Sequence, residues 1–481
     1  MVMATWRRAL QALRKPPNNK SKKAPFSQGL FVLLRGGDTT TGQHADRADF
    51  GQVGGGIPGR VRLADRRQRG VDERMTAAND NHEEGGSTGP LGHLLVLALC
   101  GFVTSFGAHI VATNLPSYAE KVGAGAFMIG LVIAVYDFAE LFAKPAAGFV
   151  ADRSGMKRTL LVGLAVFIAG SMSFLVLPAS LLLLTRFLQG LGAAALSTVS
   201  ITLVAKYFAG SRGRSFGIYN AIKGAGYVIA PALGGLLVRA GGFRLVFVVS
   251  AGIGAVALLA SLLLPRDRRA GEARDGKLDD DDDLTFRQFL GVFRDRLLLP
   301  VYAVIVVNMF LVGVLFGFLP VYLHGVGYTP LQSGAILSAT TGSYLLVQPF
   351  AGHLGDRSGL RLTIVAGLVL AAVSVTLLTF TTSTPLLVAL AAVAGLGVGT
   401  VWTNADVLVS KLAKQRQMGA SIRAAQSFKE LGDMVGPLSI GALTQFAGVR
   451  IGFVSCGLAA LVLLAVLARS PALSAVAARK A

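Results

Sequence analysis

From Leu91 onward the chain alternates between apolar runs of about twenty residues and short polar breaks. Each run is long enough to cross a hydrocarbon core ~30 Å thick as a helix. The pattern predicts twelve spans, near 93–115, 126–149, 159–178, 180–205, 215–238, 243–264, 297–322, 331–352, 361–381, 385–410, 422–446 and 450–469. In lipid the backbone must satisfy its own polar groups, which leaves helices or closed barrels. Runs this long and continuous predict helices, not the alternating strands of about ten residues that build a barrel.

Two stretches break the pattern. Residues 1–90 are rich in Arg, Gly, Asp and Asn and hold no apolar run longer than 30–34. They bury too little surface to offset ordering entropy, so a disordered basic extension is expected. The first residues, Met1 to Arg8, lack the apolar core and cleavage site of a secretory signal. The short polar lead from Met75 to Pro90 makes Met75 a candidate initiator, in which case 1–74 are not translated. The second stretch, 265–296, falls between six spans and six spans. Its acidic run, Asp279 to Asp283, reads as a solvated linker, because like charges in a block repel. Phe286, Phe289, Leu290 and Phe293 follow at helical spacing with Arg287, Arg294 and Arg296 among them. They form either an amphipathic helix on the membrane surface or an extension of the seventh span. The expected organisation is a 1–90 extension, a 91–264 six-helix bundle, a 265–296 linker, a 297–470 six-helix bundle and a 471–481 tail.

Composition narrows the function class. The chain is 53% hydrophobic and 15% charged, with mean hydropathy +0.59. Soluble domains carry about a quarter charged residues. The net charge of +20 would suggest nucleic acid in a soluble protein. Here the cations gather in alternate breaks: Arg153, Lys157, Arg158; Lys206, Arg212, Arg214; Arg266, Arg268, Arg269; Arg357, Arg361; Lys411, Lys414, Arg416. The other breaks hold little beyond Lys121, Arg239, Arg244 and Arg450. The positive-inside rule then places the first set and both termini in the cytoplasm of a cell inner (plasma) membrane protein. The lipid bilayer is the expected partner and nucleic acid is not. Cys100 and Cys456 sit inside apolar runs. No metal-spaced His/Cys cluster and no Gly-x4-Gly-Lys-Ser/Thr loop occurs, so no metal, cofactor, ATP drive or enzymatic activity is expected.

The two halves repeat each other. Lys144-Pro145-Ala146-Ala147-Gly148-Phe149-Val150-Ala151-Asp152-Arg153-Ser154-Gly155-Met156-Lys157 matches Gln348-Pro349-Phe350-Ala351-Gly352-His353-Leu354-Gly355-Asp356-Arg357-Ser358-Gly359-Leu360-Arg361, 204 residues later. Lys223, Gly226, Pro231 and Gly235 match Lys429, Gly432, Pro437 and Gly441, 206 residues later. Duplicated six-span halves are a mark of secondary-transporter folds, with the substrate path at the repeat interface.

These residues resemble the major facilitator superfamily over 91–481. Gly148, Asp152, Arg153, Gly155, Lys157 and Arg158 match its signature loop between spans two and three, and Gly352, Asp356, Arg357, Gly359 and Arg361 repeat it. Arg186-Phe187-Leu188-Gln189-Gly190-Leu191-Gly192-Ala193-Ala194 is similar to the family's span-four pattern. Gly217, Gly226, Pro231, Gly234 and Gly235 resemble the span-five motif of its proton-coupled drug antiporter branch, with Ala230 where that motif has Gly. The resemblance implies an all-α membrane fold of twelve helices in two pseudo-symmetric bundles. It also implies a cytoplasmic latch at the signature loops, and Arg186 facing a central cavity in proton coupling.

Ionisable residues within spans are costly and therefore candidates for function. Asp137, Glu140 and Lys144 share one face of span two; Lys429, Glu430 and Asp433 cluster on span eleven. The clusters lie at similar depth in helices that the resemblance packs together, so they predict either an ionic gate that opens on protonation or a static pair within one helix. Lys223 either snorkels inward or serves the interface between spans five and eight near Gln348. His109 on span one is either packed or a proton site. Asn308, Trp402 and Asn404 are expected at the substrate cavity, and Asp406 at the solvated interface. Asp152 is expected near the N-terminus of span three, and Gly148 where another helix approaches. The leading expectation is a monomeric proton-coupled exporter of a small amphiphilic compound. The rivals are a proton symporter or uniporter of a small nutrient, and a membrane sensor that moves nothing.

Overall fold

The computed structural model describes residues 90–265, 295–414 and 418–469. The chain divides into two units, Met1–Glu83 and Glu84–Ala481, and the first lies outside the described residues. Outside them too lie Met75, the acidic run, the Phe286–Phe293 segment, Arg266, Arg268, Arg269, Arg416 and the 471–481 tail.

In the second unit every regular element among the described residues is helical. The helices are α1 (Leu91–Lys121), α2 (Ala126–Ser154), α3 (Met156–Val176) and α4 (Leu182–Tyr207). The stretch Arg212–Ser261 is broken at Gly241 and Gly242, the latter at φ 73°, into α5 (212–240) and α6 (243–261). Then come α7 (Leu299–Gly325), α8 (Pro330–Ser358), α9 (Leu360–Leu377), α10 (Thr384–Leu412), α11 (Met418–Ala447) and α12 (Val449–Leu467). By length and composition nine helical segments among the described residues can cross a membrane, with the broken 212–261 stretch represented once. α8 and α11 fall outside that measure. α8 carries Gln332, Gln348, His353, Asp356 and Arg357, and α11 carries Arg423, Lys429, Glu430 and Asp433. Large apolar side chains such as Val176, Leu346, Phe350 and Phe446 stand exposed along the sides. Exposed apolar surface on this scale marks a face made for something other than water, here lipid.

The repeat seen in the sequence recurs in the packing. Gly155 (φ 99°) separates α2 from α3, and Gly359 (φ 90°) separates α8 from α9 in the same way. Lys157 donates to Leu262 O at 2.8 Å and also to Leu264 O. Arg361 donates to Ala468 O at 2.7 Å, the carbonyl 204 residues after Leu264. Each cation thus meets the unpaired carbonyls and negative dipole end of the last helix in its own half.

Two helix pairs make the most extensive joins between the halves among the described residues, α2 with α11 and α5 with α8, while α1 and α2 also touch α7. Pro231 and Pro437 each interrupt the hydrogen-bond ladder of their helix. A Cβ on Gly334 would run into Pro231 O, and a Cβ on Gly130, its partner 204 residues earlier, would run into Pro437 O. Gly235 likewise abuts Pro330 O, and Gly441 abuts Ala126 O. All four contacts lie toward the end of the bundle away from the Gly155 and Gly359 breaks. The pairs differ in one respect. At α5–α8 the Ser338 hydroxyl donates to Val228 O (2.7 Å) and accepts from Ala232 N (3.0 Å), inserting itself into the ladder beside the proline. At α2–α11 the corresponding residue is Ala134, which has nothing to donate.

Candidate functional site

Between the two crossings lies a cavity of about 920 Å³, its open mouth included. Its walls are largely apolar and aromatic, with His109 from α1, Tyr136 from α2, Tyr227 from α5, Phe316 from α7, Tyr344 from α8 and Trp402 from α10. Three charged groups face it: Asp137 of α2, Arg186 of α4 and Asp433 of α11. Arg186 is 2% exposed. Its Nη1 donates to Gln189 Oε1 at 2.6 Å, and its guanidinium lies 4.3 Å from the centre of the Tyr136 ring. Gln189 Nε2 in turn donates to Ser171 Oγ at 3.0 Å. Arg186 Nε has no hydrogen-bond partner, so burial leaves one donor of a permanent cation unsatisfied.

Below the cavity, toward the Gly155 and Gly359 breaks, an ion cluster crosses the interface. Lys144 Nζ lies 2.6 Å from Glu140 Oε2 on its own helix and 2.5 Å from Glu430 Oε1 on α11. Glu140 also accepts from Tyr136 Oη at 3.1 Å. The side chains are 26% (Lys144), 10% (Glu140) and 13% (Glu430) exposed, so the charges are poorly screened and each depends on the others. The expected self-pairing within α2 and the expected pairing across to α11 therefore coexist. Next to Glu430, Lys429 faces the other way. Its Nζ pairs with Asp406 Oδ2 of α10 at 2.8 Å and sits 4.3 Å from the Trp402 ring centre. Successive residues of α11 thus bind α10, α2 and, one turn on, the cavity.

The family model described as Major Facilitator Superfamily matches residues 97–343 and 301–480. The chain belongs to the major facilitator superfamily. It is a multi-pass membrane transporter, and the family is not one of enzymes. It is 27% identical over 406 residues to the multidrug resistance protein Stp of Mycobacterium tuberculosis, covering 73% of this chain and 75% of that one. It is 34% identical over 183 residues to the puromycin resistance protein pur8 of Streptomyces alboniger, covering 37% and 36%. Among solved structures, a bacterial homologue of the human lysosomal transporter Spinster, inward-facing and unoccupied, superposes with TM-score 0.69 at 15% identity over 80% of this chain and 98% of that one. The nucleoside transporter NupG superposes with TM-score 0.65 at 15% identity over 78% and 98%. Likenesses at this identity show the fold alone.

Several superfamily signature residues sit differently from expectation. The nearest atom to a Cβ on Gly148 would be Thr198 Cγ2 at 3.9 Å, so no helix crowds it in this conformation; Gly352 is similar, with Thr403 Cγ2 at 3.7 Å. Asp152 lies four residues before α3 begins at Met156, near its N-terminus as expected, but no side chain caps that end, where Gly155 is the N-cap residue. Arg153 lies over the Phe149 ring at 3.9 Å, and Asp356 pairs with Lys411 at 3.5 Å within its own half. With Lys157 and Arg361 on helix ends of their own halves, these contacts stay within each half. Arg158 and Arg357 are exposed. In the span-five motif Gly226 presses on Ser105 and Phe106 of α1, Gly234 on Asn114 and Ile110, and Gly235 on α8, while Gly217 meets nothing within 4 Å.

Two of the expected cavity residues lie elsewhere. Asn308 is buried with Nδ2 donating to Val398 O (3.3 Å), which ties α7 to α10. Asn404 donates to Ala351 O (3.1 Å) and Thr400 O (2.8 Å), which ties α10 to α8. An amide on an apolar helix satisfies itself on a neighbouring backbone as readily as on a ligand. Trp402 and His109 do line the cavity. The Asp406–Lys429 pair and the cavity residues Tyr227 and Tyr344 escaped the sequence reading. The offset of 206 that relates Lys223 to Lys429 also relates Tyr227 to Asp433, a signal available for Tyr227 alone.

Proposed function

We propose that the protein exports a small cationic amphiphile in exchange for protons, by rocking of its 91–264 and 297–470 halves about the cavity. It does so as a monomer in the inner membrane with both termini cytoplasmic. The observation that carries this reading is Lys144 held between Glu140 of its own half and Glu430 of the other. A proton on either acid removes one of the ammonium's partners and weakens the hold of Lys144 on the α2–α11 interface. Asp137 and Asp433, one from each half, give a cation a counter-charge whichever way the halves rock. The aromatic walls suit an apolar body. The tight glycine–proline crossings at one end and the exposed signature loops at the other fit a cavity closed to the outside. The multidrug and puromycin resistance after which the Stp and pur8 relatives are named agrees with export of toxic compounds.

The test is a compound panel screened for proton movement in proteoliposomes under a pH gradient, repeated with Glu430→Gln. Compound-driven proton release with outward movement of compound is expected, with a flattened pH dependence in the variant. PH dependence unchanged in Glu430→Gln removes the gate. Uptake of compound together with protons would replace export by nutrient symport, compound movement without proton flux would leave a uniporter, and neither movement nor flux would leave a sensor.

A further inference from the structure

α1 does not cross as a regular α-helix. Val103–Gly107 form a π turn, with all five residues buried. Such turns recur at functional sites because the ladder shifts register around them. Here the shift frees Ser105 for two contacts. Its hydroxyl donates to Lys223 O of α5 at 2.7 Å. Its carbonyl accepts from Ala108 N and lies 2.9 Å from His109 Nδ1. A carbonyl cannot donate, so Nδ1 carries the hydrogen and Nε2 is the open position of the ring.

The ring is held on two sides as well. Its centroid is 4.5 Å from that of Tyr227 and 5.4 Å from that of Phe316, at interplanar angles of 81° and 90°. Gly226 completes the mount, since a Cβ there would strike Ser105 Oγ and come within 2.9 Å of Phe106 N. The other polar groups of the cavity do different work. Arg186, held by Gln189 and Tyr136, has only donors to offer. Asp137 and Asp433 also accept hydrogen bonds, but they hold a cation by charge whether or not it carries a donor, whereas a neutral acceptor gains only from a donor. A fixed neutral acceptor is what tells donor from no donor, because the molecule lacking one leaves the acceptor unpaired.

We propose that His109 Nε2 is a built-in hydrogen-bond acceptor for the transported molecule, selecting amphiphiles that carry an N–H or O–H over equally charged ones that carry none. This deepens the export reading by assigning the substrate class its site selects. Two cationic xanthene dyes test it: rhodamine 6G, which has secondary amine N–H groups, and rhodamine B ethyl ester, which has none. Full-length protein labelled with 15N-histidine in nanodiscs is titrated with each. A hydrogen-free His109 Nε2 resonance that shifts with rhodamine 6G and not with the ester is expected. Binding should favour rhodamine 6G by roughly three- to tenfold, the range of one net hydrogen bond. His109→Phe should abolish the preference, and His109→Gln, which can place a carbonyl oxygen near Nε2, should keep part of it. A hydrogen-bearing Nε2, a resonance moved by both dyes or by neither, or a preference that survives in His109→Phe overturns the proposal. The labelled wild type decides the matter even if a variant fails to fold. If rhodamine 6G shifts the resonance while no compound of the panel moves outward, the export reading falls and this one stands as a binding preference.

Discussion

Gly130→Ala should open the end of the bundle that the glycine–proline crossings close. The added methyl has no space, because the nearest atom is the backbone oxygen of Pro437, with its carbonyl carbon at 3.0 Å and Gly441 Cα at 3.3 Å behind it. Backbone cannot rotate away as a side-chain tip can, so α2 and α11 must separate. Overpacking of this kind costs about 1–3 kcal/mol. The cost falls only on conformations in which the helices touch, so at 1.4 kcal/mol per factor of ten it shifts the balance about five- to 150-fold against them. Spin labels at Val122, beyond α1, and Phe446, on α11, are both well exposed and report the separation at that end. The expected result is a longer-distance population absent or minor in the parent. Gly334→Ala should act in the same direction, because its Cβ meets Pro231 O by the same repeat. Gly148→Ala is the control, since its nearest neighbour would be at 3.9 Å. Distance distributions and melting temperatures alike for Gly130→Ala and Gly148→Ala would refute the reasoning.

Lys144→Met should leave Glu140 and Glu430 facing each other without their cation, at a cost of about 3 kcal/mol or more. The drop in melting temperature in detergent should be partly recovered in the Lys144→Met/Glu430→Gln double variant, and additive losses would show that the three groups do not act as a unit. Ser338→Ala should cost about 1–2 kcal/mol in the same assay, from loss of the bonds to Val228 O and Ala232 N beside a proline that has already broken the ladder; no change in melting temperature would mean that water replaces the hydroxyl.

The helices were legible in the sequence because hydropathy and length act on each segment separately. The repeat was legible because Gly155 and Gly359 must take positive φ and cannot drift. Which face of each helix meets which neighbour is a tertiary fact. Asn308 and Asn404 show the consequence: burial of an amide was foreseeable, but its partner was not, since a neighbouring carbonyl and a substrate satisfy it equally. Glu430 found Lys144 as the depth of both residues implied, whereas Lys429, one position earlier, turned to Asp406, which had been read as a solvated residue. One residue along a helix is a turn of about 100°, and no property of a lysine says which of two acids it will face.

The Ser338 hydroxyl makes the two crossings mechanically unequal. A rigid rotation that keeps its two bonds must run its axis close to α5 and α8, since 0.5 Å of travel there would already stretch them past useful length. Displacement then grows with the lever arm and is greatest at α2 and α11, where Ala134 offers no counterpart to the Ser338 bonds. The transporter would therefore swing from one flank, and what holds the other is the Lys144–Glu430 pair, a tie that a proton can loosen.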